Sequence, residues 1–406
     1  MKVLQVNTVC GTGSVGRITL DLYHTIEEKG SECLIAYGRG TAPDTIHSIK
    51  VNSKLDFYGH VIYQFVTGAN GFASTHCTKK LMKQIDKYNP DMIHLHNIHG
   101  FYLNIELFFE YLKKLDKPVI WTLHDCWSFT GHCAYFDYVQ CDKWKTGCNH
   151  CEQFRSAYPY GLLHDNSDHN YKRKKELFTG LNHLTIVTPS KWLENYVNQS
   201  YLKDYPVEVI YNGIDLDNFK PIKGELTLKY GEENRKIILG VANMWESRKG
   251  LRYFEQLADM LGDEYKIILV GLNEKQISKI NPKIIGITRT NHIKELAELY
   301  SMAAVYVNAT LEDNFPTTNI EALACGTPVI TFATGGSVES VDEQCGKIVS
   351  KGDINQLKSA IEQVCTNTNS EVSATCLEKS KKYNKDDRFE EYMNLYKKVY
   401  EDKWNE

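Results

Sequence analysis

Residues 312–330 read Glu312-Asp313-Asn314-Phe315-Pro316-Thr317-Thr318-Asn319-Ile320-Glu321-Ala322-Leu323-Ala324-Cys325-Gly326-Thr327-Pro328-Val329-Ile330. Pro316 suits the first turn of a helix, where its missing N–H costs little, and Gly326 suits the residue that ends it. A loop that delivers backbone N–H groups at a helix start is suited to a diphosphate. Asn314, Phe315, Pro316, Thr317 and Thr318 line that turn. The carboxylates of Asp313 and Glu321 flank it and can accept hydrogen bonds from sugar hydroxyls. Upstream, Asn243 precedes the basic pair Arg248-Lys249 at the start of another helical pattern. Two cations at a helix N-terminus oppose the dipole, so an anionic partner is expected there.

Gly11-Thr12-Gly13-Ser14-Val15-Gly16 follows a strand pattern and precedes a helix pattern from Arg17. This is G-x-G-x-x-G in its required context, with Gly13 and Ser14 in the turn that meets a phosphate. A dinucleotide site also needs an acid near the end of the next strand. That strand ends Ala36-Tyr37-Gly38-Arg39-Gly40, with no acid. Arg39 suits a 2′-phosphate, so an NADP-dependent oxidoreductase is one reading of the loop. A tight turn without ligand is another.

Two histidine groups follow buried-strand patterns. His124-Asp125 comes directly after Val119–Leu123, where a parallel strand opens its C-terminal end to a crevice. Asp125 can orient an imidazole or bind an acceptor. The second group is His94-Leu95-His96-Asn97-Ile98-His99. Alternation sends His94 and His96 to one face, where they can shape an acceptor pocket or simply satisfy local hydrogen bonds. A Cys-rich insertion, 126–155, carries Cys133, Cys141, Cys148 and Cys151. Four thiolates can hold one structural zinc tetrahedrally, with His132 and His150 as spare ligands. Reduced thiols without metal are the alternative.

The elements that position these groups are short apolar runs alternating with amphipathic ones. Strands are expected at Lys2–Asn7, Glu32–Tyr37, Met92–Leu95, Val119–Leu123 and Leu184–Thr188. A second series runs through Val207–Ile210, Lys236–Val241, Tyr265–Val270, Val305–Val307 and Pro328–Thr331. Helical patterns fall between them, including Ile18–Lys29, Lys79–Tyr88, Lys249–Leu261 and Ile293–Met302. Such alternation predicts parallel sheets covered on both faces, and two series predict two doubly wound domains. The turn signal Asn212-Gly213-Ile214-Asp215 sets the expected division at 1–215 and 216–386, with a terminal helix in 387–406. That helix carries Phe389, Tyr392, Met393, Tyr396 and Val399 at the spacing of one face.

Charge supports two domains with different duties. Of the 47 basic and 51 acidic side chains, 22 of each lie before residue 216, so the net charge of −4 arises entirely after it. Thirteen of the 14 histidines lie before it. No basic excess argues for nucleic acid. No run of 18 apolar residues exists, so no spanning helix is expected. Met1–Val6 leads straight into a strand without a signal peptide's apolar stretch, which points to the cytoplasm and to reduced thiols.

The 312–330 segment resembles the E-x7-E signature of glycosyltransferase family 4, the retaining GT-B enzymes. In that pattern Asp313 takes the first acid position, one methylene shorter than the usual Glu, and Glu321 takes the second. Neighbouring Glu312 is an alternative for the first, with one residue too many before Glu321. Gly240-Val241-Ala242-Asn243 through Arg248-Lys249-Gly250 is similar to the family's strand, loop and Lys-Gly helix start. Asn243 stands where the family Arg usually sits, and Arg248 can substitute. Pro189-Ser190-Lys191-Trp192, Val209–Asp215 and Gly335-Gly336-Ser337-Val338-Glu339 resemble further family landmarks, so the likeness spans almost the whole chain.

The resemblance implies an α/β GT-B architecture of two facing Rossmann-like domains. The first is the acceptor side, the second binds the donor, and the terminal helix crosses back to the first. It implies a retaining hexosyl transfer from a nucleoside-diphosphate sugar to a glycan or lipid-linked glycan, in surface polysaccharide biosynthesis. His124, Asp313, Lys249 and Arg248 are the implied catalytic residues. Gly13, Ser14, His96, Asp125, Asn243, Asn314, Phe315, Pro316, Thr317, Thr318 and Glu321 are the expected binding residues. In the family the first acid contacts the donor sugar, the second binds the ribose, and the basic pair meets the diphosphate. No cofactor is needed for catalysis. Asp215-Leu216-Asp217, a match to a metal-binding D-x-D, falls in the linker and is set aside.

Many relatives act on lipid carriers at the inner membrane face. The apolar stretch Phe57–Phe72 is followed by Lys79, Lys80, Lys83 and Lys87, and Lys172-Arg173-Lys174-Lys175 forms a second basic run. These are the expected elements of a peripheral membrane contact. A non-catalytic sugar-nucleotide-binding protein, suggested by Asp313 and Asn243, is the remaining rival.

Overall fold

The computed structural model describes residues 1–231, 235–367 and 370–405. The chain divides into two compact units, one of Met1–Ile210 with Phe389–Glu406 and one of Tyr211–Arg388.

The first unit runs β1 (Lys2–Val9), α1 (Gly13–Glu28), β2 (Glu32–Arg39), β3 (Ser48–Lys50), α2 (Lys54–Thr67), α3 (Thr75–Tyr88), β4 (Met92–Leu95), α4 (Ile105–Leu115), β5 (Val119–Thr122), α5 (Ser167–Phe178), β6 (Leu184–Thr188), α6 (Lys191–Val197) and β7 (Val207–Val209). Its strands form one parallel sheet in the order β3-β2-β1-β4-β5-β6-β7. The second unit runs α7 (Glu225–Gly231), β8 (Lys236–Val241), α8 (Leu251–Met260), β9 (Tyr265–Val270), α9 (Glu274–Ile277), β10 (Ile284–Ile287), α10 (Ile293–Met302), β11 (Val305–Asn308), α11 (Thr317–Ala324), β12 (Val329–Phe332), β13 (Gly346–Val349), α12 (Ile354–Asn367) and α13 (Ser370–Ser380). Its sheet has the order β10-β9-β8-β11-β12-β13. The last helix, α14, spans Lys385–Asn405.

Both sheets are doubly wound. Strand alternation explains the two cores of the first unit. Leu4 and Val6 face Leu81, Ile85 and Phe108 of α3 and α4. Val3 and its row face Leu22 and Ile26 of α1 and Phe389, Met393 and Tyr396 of α14. In the second unit one face packs on Phe254 and Leu257 of α8 and Leu357 and Ile361 of α12. The other packs on Ala297 and Tyr300 of α10, on Ile320 and Leu323 of α11, and on Cys376 of α13. Burial on both faces is what makes these strands near-continuous apolar runs.

Chain order reverses between β1 and β4 in the first sheet and between β8 and β11 in the second. Loops leaving the C-terminal ends of such strands diverge and open a crevice.

Several local details differ from the sequence reading. α1 begins at Gly13, inside the glycine motif, because Gly11 and Gly13 both take positive φ and make the turn early. Pro316 is the residue before α11 rather than within its first turn. Arg248 and Lys249 lie in a 3-10 turn, Ser247–Lys249, and α8 starts only after Gly250. The first unit closes at Ile210. Tyr211 already belongs to the second, where its hydroxyl donates to Glu339, and Ile214 bridges to Asn384.

Candidate active site

In the second unit the loop after β8 meets the loop after β11. Lys249 Nζ lies 2.5 Å from Asp313 Oδ2, both side chains being about a fifth exposed. The other Asp313 oxygen accepts the Asn314 N–H at 3.0 Å. The backbone fixes this meeting. Arg248 O accepts Leu311 N at 2.7 Å and Thr310 Oγ1 at 3.3 Å. Gly250 has φ +78°, and a Cβ there would stand 2.0 Å from Ala309 O. Gly335 has φ +54°, and a Cβ there would stand 1.6 Å from Asp313 O. Glycine alone allows both approaches.

Of the two adjacent acids, Asp313 is the one that meets Lys249. Glu312 is buried. The Arg248 guanidinium is engaged by Glu246 at 3.1 Å and by Glu312 O at 3.3 Å. Asn243 is exposed on the loop after β8. Asn314, Phe315 and Pro316 are buried under the turn, while Thr317 and Thr318 are half-buried at the start of α11. Proline precedes that helix and offers no side-chain cap. The leading amides of α11 therefore carry the helix's positive end without a capping oxygen from that residue. Glu321 sits one turn further in, where its Oε2 accepts the Tyr300 hydroxyl at 3.0 Å. Burial and then the Glu321 charge push Tyr300 well above its ordinary range, so it stays a donor.

Sequence reasoning missed what holds α11. Asn319, fully buried, donates to Ser337 Oγ and Ser340 Oγ, each at 3.0 Å, and accepts from Asn308 Nδ2 at 2.8 Å. The side chain thus ties the helix to β11 and to the Gly335–Ser340 turn. A buried Asn inside an acid-flanked motif was the available signal, since buried amides need partners.

In the first unit the histidines lie at the β1–β4 switch point and just after neighbouring β5. Gln5 of β1 stands opposite His94 of β4. Gln5 Nε2 donates to Thr19 O at 3.1 Å, which orients the amide and turns Oε1 toward His96 Nε2, also at 3.1 Å. His96 Nε2 therefore carries the proton, and its Nδ1 accepts. The contact of 3.2 Å from His124 Nε2 to His96 Nδ1 then makes His124 Nε2 the donor. With a neutral ring, His124 Nδ1 is an acceptor. Burial lowers the pKa of His124 to about 4 and that of His94 to about 3, and holds His96 well below 6.5.

His94 is structural. Its ring lies between Tyr396 Oη of α14 at 2.6 Å and Thr122 Oγ1 at 2.8 Å. His96 lies behind His124 and acts on it, while His124 lines a small cavity of about 180 Å³ with Asp125, His99 and Trp127. Asp125 binds His99 Nε2 at 2.9 Å and the Trp127 N–H at 2.9 Å. Burial alone would raise its pKa, but the His99 ring and these hydrogen bonds outweigh it and lower it. Gln5, which orients the chain of imidazoles, gave no sequence signal beyond being a polar residue in an apolar strand.

The glycine loop leaves Gly13 and Ser14 exposed, with nothing within 4 Å of a Cβ built on Gly13. Arg39 lies over the Phe57 ring, 5.5 Å from its centroid. Asp215 caps the amides of Asp217 and Asn218 and pairs with Lys385 at 2.6 Å, a structural role for the D-x-D match. Cys133, Cys141, Cys148 and Cys151 line one cavity with His132. The thiols of Cys133 and Cys151 hydrogen-bond to each other. Among the described residues no three His, Cys, Asp or Glu side chains are grouped to hold a metal ion.

Comparison with known proteins agrees with this geometry. The model of Glycosyltransferase Family 4 matches residues 15–218, and that of Glycosyl transferases group 1 matches residues 235–367. A putative colanic acid biosynthesis glycosyl transferase, WcaC of Escherichia coli, is 25% identical over 98% of this chain and 100% of its own length. The sucrose-phosphate synthase of Thermosynechococcus elongatus superposes with a TM-score of 0.75 at 16% identity, covering 98% of this chain and 99% of that one. Anabaena HepE, solved in complex with UDP-glucose, gives 0.69 at 14% identity, covering 98% and 100%. These likenesses establish the GT-B fold, and the family matches displace the oxidoreductase reading of the glycine loop. The chain belongs to glycosyltransferase family 4 and is a glycosyl-transferring enzyme.

Proposed function

We propose that this enzyme transfers a hexose-type sugar, with retention at the anomeric carbon, from a nucleoside-diphosphate sugar to a glycan or lipid-linked glycan of a surface polysaccharide. The observation that carries the reading is the Lys249–Asp313 pair at the ends of β8 and β11, beside the start of α11. A diphosphate seated there competes with Asp313 for the Lys249 ammonium and meets the leading α11 amides. Charge that builds on the departing nucleotide is then stabilised by groups already in place. Released from Lys249, the Asp313 carboxylate is available to a sugar hydroxyl. Glu321, held by Tyr300, is assigned to the ribose.

Arg248 supports the loop through Glu312 O and adds positive charge to the site. His124, which lines the small cavity with Asp125, is assigned to the acceptor side. The full-length similarity to a colanic acid glycosyl transferase supports a polysaccharide product. The HepE complex makes a UDP-sugar the first donor to try. A site at the cytoplasmic face of the membrane fits such a reaction. Among the described residues no helix is long and apolar enough to cross one.

The test is turnover. The protein is incubated with UDP-, GDP- and ADP-hexoses and a polyprenyl-diphosphate-linked glycan, and nucleotide release and product anomer are followed. One donor consumed with retention supports the reading. Inverted product, or release only of free sugar, contradicts it.

A further inference from the structure

Helix α2 is inverted. Its inward face carries polar residues, His60 and Gln64, and its outward face carries apolar ones. His60 Nδ1 meets Ser74 Oγ at 2.8 Å, and Gln64 Nε2 donates to Tyr160 O. On the outside, Leu55, Tyr58 and Ile62 each keep more than 60% of their surface exposed. Tyr63, Phe65 and Val66 continue the exposed surface toward the C-terminal end. The loop carrying the exposed Leu162 and Leu163 is fastened to that end, since both amides donate to Phe65 O. Single exposed apolar residues are ordinary, but a contiguous stripe marks an interaction surface.

The stripe has a basic flank. Helix α3 buries Cys77, Thr78, Leu81 and Ile85, which leaves Lys79, Lys80 and Lys83 exposed. A hydrogen bond from the Cys77 thiol to the Asp56 carboxylate, and one between His60 and Ser74, hold α2 beside α3. Lys54 opens α2 and is exposed too. These four ammonium groups make no ion pair among the described residues. Of the second basic run, three of the four residues are engaged elsewhere, and Lys175 alone is exposed without an ion pair among the described residues. Lys172 pairs with Asp168, Arg173 with Glu106 and Glu176, and Lys174 is buried against Trp127.

We infer that α2, the Leu162–Leu163 loop and the lysines of α3 form a docking surface for an anionic phospholipid bilayer. An apolar stripe bordered by unpaired lysines is the pattern of an interfacial helix, the side chains entering the acyl boundary and the ammonium groups meeting headgroup phosphates. A protein partner has no need of that charge arrangement. Docking gives the lipid-linked acceptor of the proposed function a surface to be taken from and rests on that reading for its purpose. The binding itself needs neither donor nor acceptor.

The full chain is mixed with vesicles of phosphatidylglycerol and phosphatidylcholine, or of phosphatidylcholine alone, and floated on a density gradient. The protein is expected with the anionic vesicles only, and to leave them as salt rises from 0.1 to 1 M. Replacing Tyr58→Glu with Ile62→Glu, or Lys79→Glu with Lys80→Glu and Lys83→Glu, lowers binding at least about tenfold. Melting temperature and its shift with UDP, GDP or ADP are recorded for every variant, and stay as in the parent protein. No flotation of the parent, or equal flotation of the variants, overturns the inference. So does a solution dimer that Ile62→Glu splits, because the stripe is then covered by a second copy. A parent protein that floats but responds to no nucleotide leaves docking standing and removes the donor reading instead.

Discussion

Lys249 and Asp313 are 64 positions apart in the chain and 2.5 Å apart in the fold. The 3-10 turn after β8 supplies the cation and the loop after β11 the anion. Lys249→Ala is expected to lower kcat/KM about 10²–10³-fold, the usual loss for one preorganised stabiliser of transition-state charge. Asp313→Asn is expected to act mainly on the donor sugar. The two substitutions combined should cost less than the sum of their separate losses, because each removes the other's partner. Steady-state kinetics on the three variants checks this.

Gly335→Ala tests the backbone that shapes the pair. A methyl group there collides with Asp313 O, and φ is in the left-handed region. The variant is expected to be destabilised by more than about 1 kcal/mol and to lose donor affinity together with it. Denaturant unfolding and nucleotide titration read the two effects. Unchanged affinity would mean that the Gly335 turn does not set the position of Asp313.

Acid should weaken the first unit. His94, His96 and His124 are held neutral by burial, with pKa values below the ordinary 6.5, and so are His60 and His132 at about 4. Below pH 6.5 the unfolded chain takes up protons that the folded chain does not. Stability is therefore full above that pH and falls as the pH drops toward the folded values. Each such imidazole contributes a loss of about 1 kcal/mol between pH 6.5 and 5.5. His94→Asn should flatten the dependence of melting temperature on pH over that interval.

Lys174 titrates in the opposite range. Burial pushes it down to about 7, although its Nζ donates to Trp127 O at 2.5 Å. Between pH 7 and about 10 the unfolded lysine is charged and the folded one is neutral, so its contribution to stability rises with pH. Lys174→Met is expected to be neutral or stabilising by about 1–4 kcal/mol at pH 6. That advantage should shrink by pH 9, measured as the difference between the two proteins.

The central strands were legible in the sequence and the edges were less so. β4, β6, β8 and β9 were read with their observed limits, because burial on both faces leaves an unbroken apolar run. β3, β10 and β13 were missed. Each lies at a sheet edge with one neighbour and keeps some residues at the surface, so its pattern is diluted. The acidic segment was readable because its proline, glycine and acids have separate physical reasons for their places. The meeting of Lys249 with Asp313 was not, since contact depends on how two loops leave their strands. α2 was recognised as apolar, but its inversion was hidden, because periodicity gives a face and not the direction it points.

The most direct measurement is a melting-temperature titration of the parent protein, Lys249→Ala and Glu321→Ala with UDP, GDP and ADP in the absence of divalent metal. A ligand bound only by the folded state raises the melting temperature in proportion to its affinity and concentration. One nucleoside diphosphate is expected to stabilise the parent, and both variants are expected to lose most of that shift while keeping their own melting temperature. Equal stabilisation of all three proteins would contradict this, because the diphosphate would then bind somewhere other than beside Lys249 and the start of α11.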